Sequence, residues 1–247
     1  LVASKLHIPI FHIEAGLRSY NKEMPEEVNR VLTDHIATCL FVPSAIATQN
    51  LKKEGIVRGV YNVGDVMKDL VYHVKNNGLI SERAIKESYY YVTLHRPYNT
   101  DDKERLSYVL DSLNSLSLKV VMAIHPRTNN LMKTFEMEKE CYRNISFIEP
   151  QSYFDNLSYL YNCQGLITDS GGMQKEAYWL EKRCITIRKE TEWVETMEGG
   201  NNVLLFNDLS KMKDILKRDI GAWNDNLYGD GNCANLIVKS IKEIQIK

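Results

Sequence analysis

No apolar run in this chain approaches the ~20 residues that a membrane-crossing helix needs. No membrane span is therefore expected. The five cysteines, Cys39, Cys141, Cys163, Cys184 and Cys233, are scattered, odd in number and contain no C-x-x-C pair. That excludes a zinc ribbon and a disulfide framework, and points to reduced thiols in a cytoplasmic protein. Charge of one sign is not in excess, with 31 basic and 32 acidic residues. A general nucleic-acid-binding surface and an acidic tail are excluded on that ground. Walker motif, nucleophile elbow, metal-ligand spacing and Gly-rich nicotinamide fingerprint are all missing. Chemistry here would run on acids, bases and positioning, with no metal or redox cofactor.

What is there is a parallel α/β pattern. The 247 residues suffice for one large domain or two small ones. Short apolar runs at 8–13, 39–42, 59–63, 89–94, 119–124, 145–148, 165–167, 184–187 and 203–206 read as buried strands. Amphipathic stretches at 26–37, 45–54, 65–75, 102–115, 129–138, 153–161, 173–181 and 210–217 read as helices, and a closing helix runs from about 233 to 244. Such alternation predicts parallel sheets covered on both faces, with ligands beyond the carboxyl ends of the strands. The stretch 75–88, with Asn76-Asn77-Gly78, is the expected linker. The chain is thus expected to hold the remainder of one Rossmann-like domain at 1–80 and a second at 81–232. A helix at 233–247 is expected to pack back on the first. Residues 1–6 look like the end of a helix, so chain preceding Leu1 is expected.

Four segments at strand ends could carry chemistry. Asp169-Ser170-Gly171-Gly172 lies between a buried strand and a helix. Asp and Ser are N-cap residue types, and the two glycines let a ligand approach the backbone. A helix N-terminus is a ready anion site, so a nucleotide or nucleotide sugar is the expected occupant. Glu176 follows at a spacing suited to a sugar hydroxyl. His12-Ile13-Glu14-Ala15-Gly16-Leu17-Arg18 ends a strand with a carboxylate that needs a partner or a role. Glu26 and Glu27 after Pro25 fit the start of a helix equally well as they fit acid/base work. His95-Arg96 and His125-Pro126-Arg127 end neighbouring strands and would give a diphosphate a positive lining. Arg188 to Glu195 reads as a polar loop at the same edge and decides little alone.

Together these segments resemble the non-hydrolysing UDP-N-acetylglucosamine 2-epimerase family. The matching stretches are 12–18, 25–30, Val63-Gly64-Asp65, Thr93-Leu94-His95-Arg96, 169–172 with Gln174 and Glu176, Thr191-Glu192 and Tyr228-Gly229-Asp230-Gly231. They run in the family's order over essentially the whole chain. The resemblance implies a glycosyltransferase-B-type fold, the first domain lacking its N-terminal strands, with UDP in the interdomain cleft. It also implies a homodimer and a cofactor-free reaction that serves cell-surface polysaccharide precursor synthesis. In that reaction, UDP-GlcNAc becomes UDP-ManNAc by elimination of UDP to a 2-acetamidoglucal and re-addition. Glu14 and Glu26 match the family's acid/base carboxylates, and His95 the histidine that assists UDP departure. Ser170, Gly171 and Gly172 match the phosphate-binding turn, and Glu176 the ribose-binding carboxylate. Gln151 matches a residue near the uracil, and His125 one near the nucleotide sugar. Arg18 and Arg96 are expected to join the substrate-binding set.

The sequence also departs from the pattern. The family's N-terminal Gly-Thr-Arg-Pro-Glu loop and active-site aspartate are not in the chain. Trp193 stands where many members carry arginine. Residues 191–195, 174–177 and 99–102 look more like the branch acting on UDP-2,3-diacetamido-2,3-dideoxyglucuronate. A UDP-sugar-dependent glycosyltransferase on the same fold is the rival function.

Overall fold

A computed structural model describes residues 1–81, 85 and 87–244. The chain divides into two compact units. Unit 1 is Leu1–His73 together with the chain from Asn224, and unit 2 is Val74–Trp223. The sequence placed these divisions at 80 and 232. The first falls instead within a helix, and the second precedes a loop that unit 1 grips. Residues 82–84 and 86 of the expected linker, and 245–247 of the expected closing segment, lie outside the described residues.

In unit 1 the elements are α1 (Val2–Lys5), β1 (Phe11–Ile13), α2 (Pro25–Ile36), β2 (Cys39–Val42), α3 (Ala45–Lys53), β3 (Val60–Asn62) and most of α4 (Val66–Asn76). The three strands form a parallel sheet in the order β1-β2-β3. Its described core gathers Cys39, Phe41 and Val63 with Cys233 and Ile237. The last two come from α11 (Cys233–Glu243), whose first N–H groups, of Cys233 and Ala234, donate to Asp69 at 3.0 and 2.7 Å. Buried Lys68 donates to the carbonyls of Asp225, Leu227 and Gly229. Asp65 N–H donates to Tyr228 O at 2.9 Å. These bonds hold the Tyr228–Gly231 turn against α4, so this motif is a clamp on the returning chain.

Unit 2 carries β4 (Tyr89–Leu94), α5 (Pro97–Thr100), α6 (Lys103–Asn114), β5 (Lys119–Ile124), α7 (Pro126–Thr134), β6 (Ile145–Ile148), α8 (Tyr153–Asn162), β7 (Gly165–Thr168), α9 (Gly171–Trp179), β8 (Cys184–Thr186), β9 (Asn202–Leu204) and α10 (Met212–Lys217). All six strands are parallel, in the order β6-β5-β4-β7-β8-β9. One face of the sheet packs Val92, Leu94, Val120, Met122, Ile167 and Ile185 against Leu106, Val109, Leu110 and Leu113 of α6. After β4 the chain works outward on one side, and from β7 it works outward on the other. The carboxyl ends of β4 and β7 are therefore a topological switch point, where such sheets bind ligands.

Candidate functional site

The loop after β4 and the loop after β7 meet on one carboxylate. Asp169 is fully buried. It accepts His95 N–H at 3.1 Å, Arg96 N–H at 3.0 Å and Asn99 Nδ2–H at 3.1 Å. His95 Nδ1 lies 3.1 Å from Asp169 Oδ1. A donated Nδ1–H there would fix the ring tautomer and leave Nε2 as the working nitrogen. Asn99 in turn donates to Ile187 O, and its Oδ1 accepts from Arg105 at 3.2 and 3.0 Å. The His95 side chain keeps 38% of its exposure while Asp169 has none. A partly exposed ring is thereby held by a fully buried carboxylate.

The sequence suggested side-chain capping of α9, and the structure corrects this. Ser170 is the N-cap residue, but its side chain makes no cap hydrogen bond. Asp169 turns away to the β4 loop. The Ser170 N–H donates to Thr168 Oγ1 at 3.0 Å. The first-turn amides of α9 have no intrahelical acceptors, as at any helix start. A Cβ on Gly172 would meet nothing within 4 Å. On Gly171 it would meet Glu192 Oε1 at 3.0 Å, with Arg188 Nη1 and Trp193 Nε1 both at 3.5 Å. The helix start is thus open over Gly172 and walled beside Gly171.

Arg188 and Glu192 form a buried ion pair at 3.0 Å. Thr191 Oγ1 donates to Gln174 Oε1 at 2.8 Å, and Trp193 N–H donates to Thr191 Oγ1. The 188–193 loop is therefore pinned to α9 through Gln174. Lys175 is buried with its ammonium 3.8 Å from the Trp193 ring centre. Glu176 is also buried, within α9.

The remaining expected residues of unit 2 are less concentrated. His125 caps α7, its Nδ1 accepting Arg127 N–H at 3.2 Å, and its ring centre lies 6.1 Å from that of His95. Pro126 at the first helical position starts this helix three residues before the expected 129. Arg127 is paired with Asp101 and so adds little positive lining. Gln151 follows β6 and donates to Glu149 O at 2.5 Å.

In unit 1, Glu14 follows β1 with φ +63°. A left-handed backbone at a non-glycine residue costs about 1–3 kcal/mol and persists only where its surroundings enforce it. They do so here. Ala15 N–H donates to Phe41 O, and Gly16 N–H donates to Asp34 Oδ2, both at 3.1 Å. Gly16, at φ +79°, has Ala47 O only 2.5 Å from where a Cβ would stand. Arg18 was expected to bind substrate. Its Nη1 instead donates to Leu17 O and Asp34, and its Nε and Nη2 to Glu54, all at 2.7 Å. Burial alone would lower its pKa, but the bonds to Glu54 and Asp34 outweigh this and raise it. The Arg18 hydrogen bond holds the Glu54 carboxyl below its usual range against an opposing effect of burial. His12 Nδ1 lies 2.6 Å from the other Asp34 oxygen. Of the two adjacent glutamates, Glu27 is buried and accepts Ser19 N–H and Tyr20 N–H at 2.9 Å. Glu26 is exposed in the first turn of α2. Glu27 thus ties the 19–20 loop to the first turn of α2.

From sequence, Asp169 reads as an N-cap residue type, Asn99 as part of the 99–102 stretch and Arg188 as part of a polar loop, and none of the three is placed among the catalytic or binding residues. A carboxylate ending an apolar strand was the available signal for Asp169, as it was for Glu14.

Fold and site together define a parallel-sheet α/β protein with a polar cluster and an uncapped, glycine-opened helix start at a switch point. The UDP-N-acetylglucosamine 2-epimerase family model matches residues 1–242, and the chain belongs to that family. It is 40% identical over 255 residues to a UDP-N-acetylglucosamine 2-epimerase homolog of Methanococcus maripaludis, covering 99% of this chain and 71% of the relative. It is 38% identical to the UDP-2,3-diacetamido-2,3-dideoxy-D-glucuronate 2-epimerase of Pseudomonas aeruginosa, with the same coverage. The UDP-GlcNAc 2-epimerase of Methanocaldococcus jannaschii, solved in complex with UDP-GlcNAc and UDP, superposes with a TM-score of 0.90 at 36% identity. That match covers 98% of this chain and 71% of the other. The fold is of the glycosyltransferase-B type, with two Rossmann-like parallel-sheet domains. Among the described residues no helix is long and apolar enough to cross a membrane.

Proposed function

We propose that this chain epimerises a UDP-2-acetamido sugar at C2, converting UDP-GlcNAc to UDP-ManNAc. The observation that carries this reading is the open N-terminus of α9 at the β4/β7 switch point, beside a histidine oriented by a buried aspartate. In this reading the Ser170–Gly172 turn holds the diphosphate and Glu176 the ribose. Arg96, His125 and Gln151 complete the binding set. Arg18 acts by ordering the loop that carries Glu14. UDP leaves C1 as one carboxylate takes the C2 proton, and the C2–H electron pair becomes the C1=C2 bond of a 2-acetamidoglucal. The other carboxyl then gives a proton to the opposite face of C2 while a UDP oxygen bonds C1 again. Glu14 and Glu26 are the two carboxyl groups, and His95 Nε2 stabilises the departing diphosphate. The product fits cell-surface polysaccharide precursor synthesis. We place the enzyme in the cytoplasm, which keeps the free cysteines reduced, and infer that it works as a homodimer.

Incubation with UDP-GlcNAc in deuterated water, without acceptor, tests the proposal. Deuterium at C2 with formation of UDP-ManNAc is expected. Sugar transfer or hydrolysis without C2 exchange would favour the glycosyltransferase rival. The 38% identity to the Pseudomonas enzyme supports the same chemistry on UDP-2,3-diacetamido-2,3-dideoxyglucuronate as a second reading. The same assay on that sugar separates the two by relative kcat/KM.

A further inference from the structure

Arg188 is nearly fully buried, at 3% exposure, yet its Nη1 has no hydrogen-bond partner among the described residues. Buried guanidinium donors are ordinarily satisfied, because an unmade hydrogen bond there is costly. Its sister nitrogen Nη2 holds Glu192 at 3.0 Å. Arg188 N–H donates to Thr186 O at 2.9 Å, which fixes the backbone as it leaves β8. Nη1 points toward the first residue of α9, 3.5 Å from where a Gly171 Cβ would stand. The nine-residue α9 presents its positive end there.

We propose that Arg188 is a further ligand of the substrate diphosphate, its Nη1 donating to a phosphate oxygen seated over the N-terminus of α9. This rests on the reading that the α9 turn binds a UDP-sugar. Glu192 Oε1 is closer still to the Gly171 Cβ position. The phosphate therefore sits toward Gly172, where the helix start is open, and Glu192 serves to aim the guanidinium. Gln174 holds the loop in place through Thr191, so the donor is set before ligand arrives. Such a charge-assisted bond to a rigid arginine fork differs from what lysine offers at the same place.

The test is titration calorimetry of UDP and of uridine on the wild-type chain, Arg188→Met and Arg188→Lys, with folding checked by circular dichroism. Arg188→Met is expected to weaken UDP binding about 10- to 100-fold while leaving uridine unchanged. Arg188→Lys should recover part of that loss. A purely structural role would move UDP and uridine together. An unchanged UDP-to-uridine ratio in either folded variant overturns the assignment. Should neither variant fold, a crystal structure of the wild-type chain with UDP decides. Nη1 within hydrogen-bond distance of a phosphate oxygen supports the proposal, and Nη1 out of reach overturns it. A wild-type chain that does not bind UDP refutes the reading of the site itself. One that binds UDP without engaging Arg188 refutes only this inference.

Discussion

The two units each bury a charged cluster, and the clusters differ in how completely they satisfy themselves. In unit 1, Asp34 accepts from Gly16, Arg18 and His12, and Arg18 spends every nitrogen on Asp34, Glu54 and a carbonyl. In unit 2, Asp169 orders His95, Arg96 and Asn99, but the neighbouring Arg188 keeps one donor unspent beside an uncapped helix start. A closed network has nothing left to offer a ligand, so its product is geometry: the forced left-handed backbone at Glu14. An open network retains hydrogen-bonding capacity at a place where charge can arrive. In the function proposed above, the first is scaffold for a reacting group and the second a binding surface.

The most severe break of this comparison is Glu14→Gln. It is expected to slow C2 exchange by about 10²–10⁴-fold, the usual worth of a positioned acid or base. UDP affinity should stay near wild type by calorimetry. Asp34→Ala should cost about 3–5 kcal/mol of stability in denaturant titration, because Arg18 loses a buried partner. It should slow exchange as well, through the loosened 14–18 loop, and leave UDP binding by unit 2 unchanged. If it spared stability and removed UDP binding, the assignment of scaffold and site would be reversed.

Glu54 gives a smaller, pH-dependent effect. Arg18 lowers its pKa in the folded chain, so the unfolded chain binds more protons across that window. The stability it confers is complete above its unfolded pKa, about 4.3, and is lost as pH falls through the lower folded value. Glu54→Gln should flatten the acid limb of a Tm-against-pH curve. An acid limb identical to wild type would show that the Arg18–Glu54 contact carries no linkage.

Much of this architecture was legible in the pattern. β2, β4, β5 and β6 begin and end where their apolar runs do, because buried parallel strands read as continuous hydrophobic stretches. The first strand is shorter than its run: 8–13 was expected and Phe11–Ile13 is paired, with Ile8 mostly exposed. Pro97–Thr100 was invisible because a single turn has no periodicity, yet it delivers Asn99 to Asp169. Glu26 and Glu27 were inseparable by type; only the loop hydrogen bonds of Glu27 tell them apart. Arg188 reads from sequence only as the start of a polar loop, since an unpartnered nitrogen is a property of three-dimensional surroundings.

The central claim is that the opening at the start of α9 is occupied by phosphate. Gly171→Val is an ambiguous probe, since its side chain would also strike Glu192. Gly172→Ala is cleaner, because the added methyl meets nothing in the protein itself. Its stability is expected within about 0.5 kcal/mol of wild type. Its Kd for UDP, measured by calorimetry, is expected to rise about tenfold or more, as crowding keeps the phosphate from the helix amides. An equally stable Gly172→Ala chain that binds UDP with wild-type affinity would contradict the account.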